Sequence, residues 1–208
     1  MRDDRSVRVR RVGASALLVE VDDPRAWFAE LWRRREAGEL VATEIVPGAR
    51  TVLLDGVPDP AGLAARLPGW APRAGAAADS GALVEIPVTY GGPDLADVAD
   101  LWGTSERGVV KRLTETEFRV AFCGFAPGFA YLVGLPPDLA VPRLPAPRPA
   151  VPAGSVGLAG GYAGIYPTAS PGGWRLVGRT TVQLFDVDRD PPALLPPGTR
   201  VRFVERPA

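Results

Sequence analysis

Histidine is missing from all 208 residues of this chain, and cysteine, methionine and lysine each occur once, as Cys123, Met1 and Lys111. Without histidine there is no Ser-His-Asp triad, no Cys-His pair, no imidazole base and no histidine-ligated metal. A single thiol excludes an internal disulfide and a thiolate zinc site, and fits a reducing compartment such as the cytoplasm. No apolar run approaches the roughly 18 residues that span a bilayer, so no membrane association is expected. The charged start, Met1-Arg-Asp-Asp-Arg5, has no apolar stretch after it, so no secretory signal is expected either. The 24 basic and 24 acidic residues cancel, which argues against a nucleic-acid partner. Chemistry is left to carboxylates, arginines, hydroxyls, Lys111 and backbone amides.

Proline and glycine are what the chain has in quantity. Ten prolines fall between Pro127 and Pro171, inside a stretch from Phe122 to Thr180 where aromatic and aliphatic residues keep interrupting them. Proline fixes φ and glycine reaches angles closed to other residues. This stretch therefore reads as shaped loops, and function tends to sit on scaffolded loops.

Two strands, Val7–Arg11 and Ala16–Val21, precede a helix that opens at Asp22-Asp-Pro24 and ends at Gly38. Its stripe of Trp27, Phe28, Leu31 and Trp32 is expected in the core, and its Arg33-Arg-Arg35 run on a solvated face. Strands Val41–Val46 and Thr51–Leu54 and a helix from Asp59-Pro60 to Gly69 complete a small α+β sandwich. Ala71–Ser80, without periodicity, marks a boundary, giving domains 1–78 and 79–208.

In the second domain, Leu83–Tyr90 carries Pro87 and is expected as an edge or entry strand. Two helices around Gly103 imitate a helix-turn-helix, but only Arg107, Lys111 and Arg112 supply positive charge on the second, too few for DNA. Short strands follow at Phe118–Phe122, Gly154–Leu158, Trp174–Val177, Val182–Phe185 and Thr199–Val204, the pattern of a β-barrel. Gly157-Leu-Ala-Gly-Gly161 lacks the Lys-Ser/Thr ending of a phosphate loop and reads as a hairpin. Arg143, Arg148 and Arg179, set among turn residues, suit carboxylate or phosphate recognition, with a surface charge or a brace between loops as the alternative. Phe125 and Phe129 form an apolar wall, while Ser155, Tyr166, Ser170 and Thr180 offer hydroxyls with no general base in sequence reach. Trp174 reads as barrel core or a binding platform, and Cys123 as a small buried hydrophobe.

Several ordered motifs carry a resemblance. Gly124-Phe-Ala-Pro-Gly-Phe-Ala-Tyr-Leu132, Pro142-Arg143 with Pro147-Arg148, Val151-Pro-Ala-Gly-Ser-Val156, Ile165-Tyr-Pro167 and Ser170-Pro-Gly-Gly-Trp-Arg-Leu-Val-Gly-Arg-Thr180 resemble the KipI family, also called allophanate hydrolase subunit 1. It includes the B subunit of bacterial 5-oxoprolinase. Glu85-Ile-Pro-Val-Thr-Tyr-Gly-Gly92 and Pro93-Asp-Leu95 are similar to its inter-domain strand and following helix.

The resemblance implies an N-terminal ferredoxin-like domain followed by a cyclophilin-like β-barrel domain. It also implies a C-type and an A-type partner subunit, with ATP as co-substrate of the complex and no metal site in this chain. The implied reaction opens 5-oxo-L-proline to L-glutamate. The alternatives within the family are a histidine-kinase inhibitor and the carboxyltransferase half of a urea carboxylase. The site expected on this basis has Arg143, Arg148 and Arg179 as catalytic residues. Phe125, Phe129, Ser155, Tyr166, Ser170, Gly173 and Trp174 are expected to bind substrate. Leu113 stands where the family often carries histidine, and Ala163 where it often carries threonine.

Overall fold

A computed structural model describes residues 7–73 and 81–207. The chain divides into two compact units, Met1–Ser80 and Gly81–Ala208. The expected boundary at 78/79 lies outside the described residues.

The first unit runs β1 (Arg8–Val12), β2 (Ala16–Glu20), α1 (Pro24–Glu36), β3 (Glu44–Pro47), β4 (Thr51–Asp55) and α2 (Pro60–Arg66). Both helices start by the same device. The Asp23 and Asp59 carboxylates accept from the amides of Ala26 (3.1 Å) and Gly62 (2.9 Å), with proline at the first helical position. The sheet order is β1-β2-β4-β3, every neighbour antiparallel. Period-2 alternation turns Leu17, Val19, Ile45, Val52 and Leu54 to one face, where they bury Trp27 and Leu31 of α1 and Leu63 of α2.

Three expectations change here. The strand expected from Val41 begins only at Glu44, and Val41 is exposed. Trp32 is not core: one position past Leu31 it swings off the buried stripe, 39% exposed, with the Arg35 guanidinium 3.9 Å over its ring. The arginine run is not simply solvated. Arg33 and Arg34 both bond the Glu30 carboxylate, which is buried on the adjoining turn, and Arg34 also lies 4.1 Å over Trp70.

The second unit is built on β5 (Leu83–Tyr90), β6 (Glu117–Cys123), β7 (Ala130–Val133), β8 (Arg148–Val151), β9 (Ser155–Ala159), β10 (Tyr162–Ile165), β11 (Ser170–Gly172), β12 (Arg175–Arg179) and β13 (Arg200–Glu205). Seven of them close a barrel in the order β10-β7-β6-β13-β5-β12-β9, and a separate ribbon pairs β8 with β11. The glycine run 157–161 forms the β9–β10 hairpin, turning at Gly160 (φ +55°).

Helices α3 (Leu95–Leu101) and α4 (Glu106–Glu115) lie between β5 and β6. Gly103 (φ +59°) turns the chain between them, and the Ser105 hydroxyl caps α4 by accepting from the Gly108 amide. Their apolar stripes, including Val98, Val109, Val110 and Leu113, join Phe118 and Phe203 in the barrel core. Leu113 is fully buried there.

β5 is not an edge strand. It lies between β13, with which it runs parallel, and β12. Pro87 is tolerated because alternate residues of a strand direct their backbone groups to opposite sides. Val88 O faces β13, accepting from Arg206 N, so the donor missing at Pro87 falls on the β12 side, where pairing starts only at Thr89. The expected strand Val182–Phe185 is absent; Phe185 makes only an isolated bridge to Ala193.

Candidate functional site: an aromatic cleft on the barrel

β6 ends at Cys123 and β7 begins at Ala130, and the loop between them closes on itself through Gly124 N to Phe129 O (3.2 Å) and Phe129 N to Ala126 O (3.0 Å). That closure holds Phe125 at φ +71°, the one non-glycine residue with positive φ among the described residues. Such a backbone is costly for a bulky side chain, and strain of this kind collects where a side chain has to be presented. Phe125 is presented to solvent, 61% exposed.

Beneath it lies a buried aromatic cluster. Phe129 stands edge-on to Phe125, Tyr166 and Trp174, each with ring centroids 5.3 Å away. Tyr131 extends the cluster, 5.6 Å from Trp174 and stacked at 4.3 Å on Phe122. Edge-to-face pairs add about 0.5–1.5 kcal/mol each beyond burial, so the wall is stiff. Two glycines make room for it. A Cβ at Gly172 would sit 2.3 Å from Tyr166 Oη, and one at Gly164 would sit 2.9 Å from the Trp174 ring.

These rings line a cleft of about 90 Å³ together with Arg143, Pro171, Gly172 and Gly173. Among the described residues no carboxylate lines it. Its one formal charge is Arg143, which is exposed and forms no ion pair or hydrogen bond with the described residues. Burial pushes the Tyr166 phenol up, opposed first by the Trp174 backbone and then by the Arg143 charge. Arg143 and Tyr166 line the same cleft.

Of the residues expected at the site, the cleft gathers Phe125, Phe129, Arg143, Tyr166, Gly173 and Trp174. It does not include the other four. Arg148 ion-pairs with the buried Asp94 (2.7 Å) and reaches the Trp174 carbonyl (3.4 Å), a brace behind the cleft wall. Arg179 is exposed and donates to the Ala153 carbonyl (3.2 Å). Ser155 is buried and gives its hydroxyl to the Pro152 carbonyl (2.8 Å). Ser170 Oγ is buried without a partner among the described residues.

Tyr131, Pro171 and Gly172 lie inside recognisable motifs but carry no sequence signal that separates them from packing residues. Asp94 escapes notice because an acid between proline and leucine reads as a helix cap. Its carboxylate instead accepts from the Leu176 amide (2.6 Å) while its own amide donates to Leu176 O (3.0 Å). Cys123 is an inert neighbour, its thiol pushed up to about 11 by burial.

A family model of the carboxyltransferase domain, subdomain C and D, matches residues 7–195. The chain belongs to that carboxyltransferase family. Across 204 residues this family member is 44% identical to the 5-oxoprolinase B subunit of Escherichia coli O157:H7, with 93% of each chain covered. It is also 48% identical over 125 residues to the 5-oxoprolinase B subunit of Bacillus subtilis (strain 168), covering 59% of this chain and 52% of that one.

Among solved structures, TTHA0988 superposes with a TM-score of 0.74 at 33% identity, covering 97% of this chain and 41% of the longer TTHA0988 chain. The Kluyveromyces lactis urea carboxylase gives a TM-score of 0.69 at 22% identity, covering 99% of this chain and 22% of that one, which shows the shared fold. Carboxyltransferase-family architecture is thus present here as a barrel plus a separate sheet with few helices.

Proposed function

We propose that this chain is the B subunit of an ATP-dependent 5-oxoprolinase, working in the cytoplasm with a C-type and an A-type subunit. The observation that carries this is end-to-end similarity to a protein of that name, 44% identical with 93% of both chains aligned. The complex would convert 5-oxo-L-proline, ATP and water to L-glutamate, ADP and phosphate. A five-membered lactam is resonance-stabilised, so phosphoryl transfer to its carbonyl oxygen provides the activation that water attack requires.

The glycine run of this chain is a strand hairpin and opens no helix, so the ATP phosphates are assigned to the assembled complex. Of the three candidate arginines, Arg143 alone lines the cleft, and Arg148 and Arg179 act by shaping the loops around it.

The fold reading goes with this one, with domains at 1–78 and 79–208. The sheet order β1-β2-β4-β3 with helices after β2 and β4, both on one face, supports a ferredoxin-like sandwich whose final strand has moved to the front. The closed barrel with two covering helices supports a cyclophilin-like second domain.

The test is 5-oxoproline-dependent ATP hydrolysis by the chain co-expressed with neighbouring C-type and A-type subunits, omitting each in turn. Turnover that needs all three is expected. A well-assembled complex that hydrolyses no ATP with 5-oxoproline would overturn the reading. The family model's carboxyltransferase description favours a second reading, the carboxyltransferase half of a biotin-dependent enzyme. Its signature is activity that requires a biotinylated carrier.

A further inference from the structure

We propose that the aromatic cleft is a subsite for a small cyclic monocarboxylate, with Arg143 pairing the carboxylate and the buried ring cluster packing the cyclic part. Naming 5-oxo-L-proline as that ligand rests on the oxoprolinase reading; the class of ligand rests on the cleft itself.

Three independent features meet there. First, several arginines of the barrel unit are held in ion pairs. Arg107 pairs with Glu205, Arg148 with Asp94, Arg175 with Asp97 and Arg202 with Glu85. Arg143 has no partner among the described residues, at the mouth of a cleft whose lining holds no acid to answer it. A guanidinium so placed presents a planar fork matched to a carboxylate. Second, the floor behind it is apolar and rigid: Phe129, Tyr166 and Trp174 are each at most 5% exposed. Third, the backbone at Phe125 is held in a disfavoured conformation that keeps an aromatic ring exposed beside that floor.

A charge at the rim and rings behind select a ligand that is anionic at one end and compact at the other. At about 90 Å³ the space suits a single small ring and falls well below the roughly 300 Å³ of drug-sized sites. The Tyr166 hydroxyl lines the same cleft as Arg143 and adds a donor. Inorganic phosphate shares the charge but offers nothing to the rings.

Ligand-observed NMR titration of the full chain separates these contributions, using 5-oxo-L-proline, cyclopentanecarboxylate, 2-pyrrolidinone and inorganic phosphate. The two carboxylates are expected to bind, with 2-pyrrolidinone and phosphate at least about tenfold weaker. Arg143→Gln weakens both carboxylates about 10–100-fold, the range for losing a charged hydrogen-bonded contact, and Arg143→Lys recovers part of that. Arg143 is exposed, so neither variant threatens folding. In the assembled complex Arg143→Gln raises the KM for 5-oxoproline by a similar factor while kcat stays within about threefold.

Equal binding of 2-pyrrolidinone, tighter binding of phosphate, no binding of either carboxylate, or carboxylate binding indifferent to Arg143→Gln overturns the proposal. So does a fall in kcat with KM unchanged. A complex that turns over 5-oxoproline regardless of Arg143 removes the cleft assignment and leaves the oxoprolinase reading standing. Arg143-dependent binding of cyclopentanecarboxylate by a chain whose complex never turns over 5-oxoproline does the reverse.

Discussion

Glu30 and Gly172 show how single residues are committed by what surrounds them. Glu30 is 1% exposed, and its carboxylate takes hydrogen bonds of 2.7–3.1 Å from Arg33 and Arg34. The Arg33 bond, more than burial opposes, holds its pKa below the ordinary 4.5. A carboxylate lowered on folding contributes stability that is fully present above the unfolded value and is lost as pH falls through the folded one. Stability measured by urea unfolding should therefore decline below about pH 4.5. Glu30→Gln should cost about 2 kcal/mol at neutral pH and flatten that acid limb. An unchanged acid limb would show that Glu30 is not linked to folding. At Gly172 an added Cβ would meet Tyr166 Oη at 2.3 Å. Gly172→Ala should then displace the Tyr166 ring, destabilise by about 1–3 kcal/mol, and close the cleft to carboxylate probes. Full ligand binding by a folded Gly172→Ala variant would mean that the cluster is softer than its edge-to-face contacts imply.

At the scale of elements, α3 is fastened to β12 by Asp94 rather than by its cap. The helix has no side-chain cap bond, because the carboxylate is spent on the Leu176 amide and on Arg148. Asp94 and Leu176 exchange bonds as two strand residues would, so the helix start completes the sheet. Removing the carboxylate strands a buried amide and a guanidinium together. Asp94→Ala should cost about 3 kcal/mol and speed hydrogen exchange at Leu176 N–H, with Asp94→Asn milder. Unchanged exchange at that amide would show the link to be incidental. The proline-rich segment is fastened the same way, through Leu144 N to Gly173 O (2.8 Å), the Val141–Gly160 bridge and the β8–β11 ribbon.

Across the whole molecule, separate cores underlie the two units. One gathers Leu17, Val52 and Trp27, and the other Ile86, Phe118 and Phe203. Calorimetry should resolve two transitions, with Glu30→Gln lowering one and Asp94→Ala the other. A single transition lowered equally by both would refute independent units. The sequence alone determined the aspartate–proline helix starts, the pair of helices around Gly103, the glycine hairpin and the family motifs. Each of those depends on neighbours within a few residues, so local pattern suffices to reveal it. Tertiary structure decided that Pro87 lies inside a closed barrel, that 182–185 forms no strand, and that Arg33 and Arg34 clamp a buried acid. It also divided three equivalent-looking arginines into one open to a cleft and two holding loops. Those outcomes depend on partners far along the chain, such as Asp94 for Arg148 and β13 for β5. No local pattern encodes which distant carboxylate or strand will arrive.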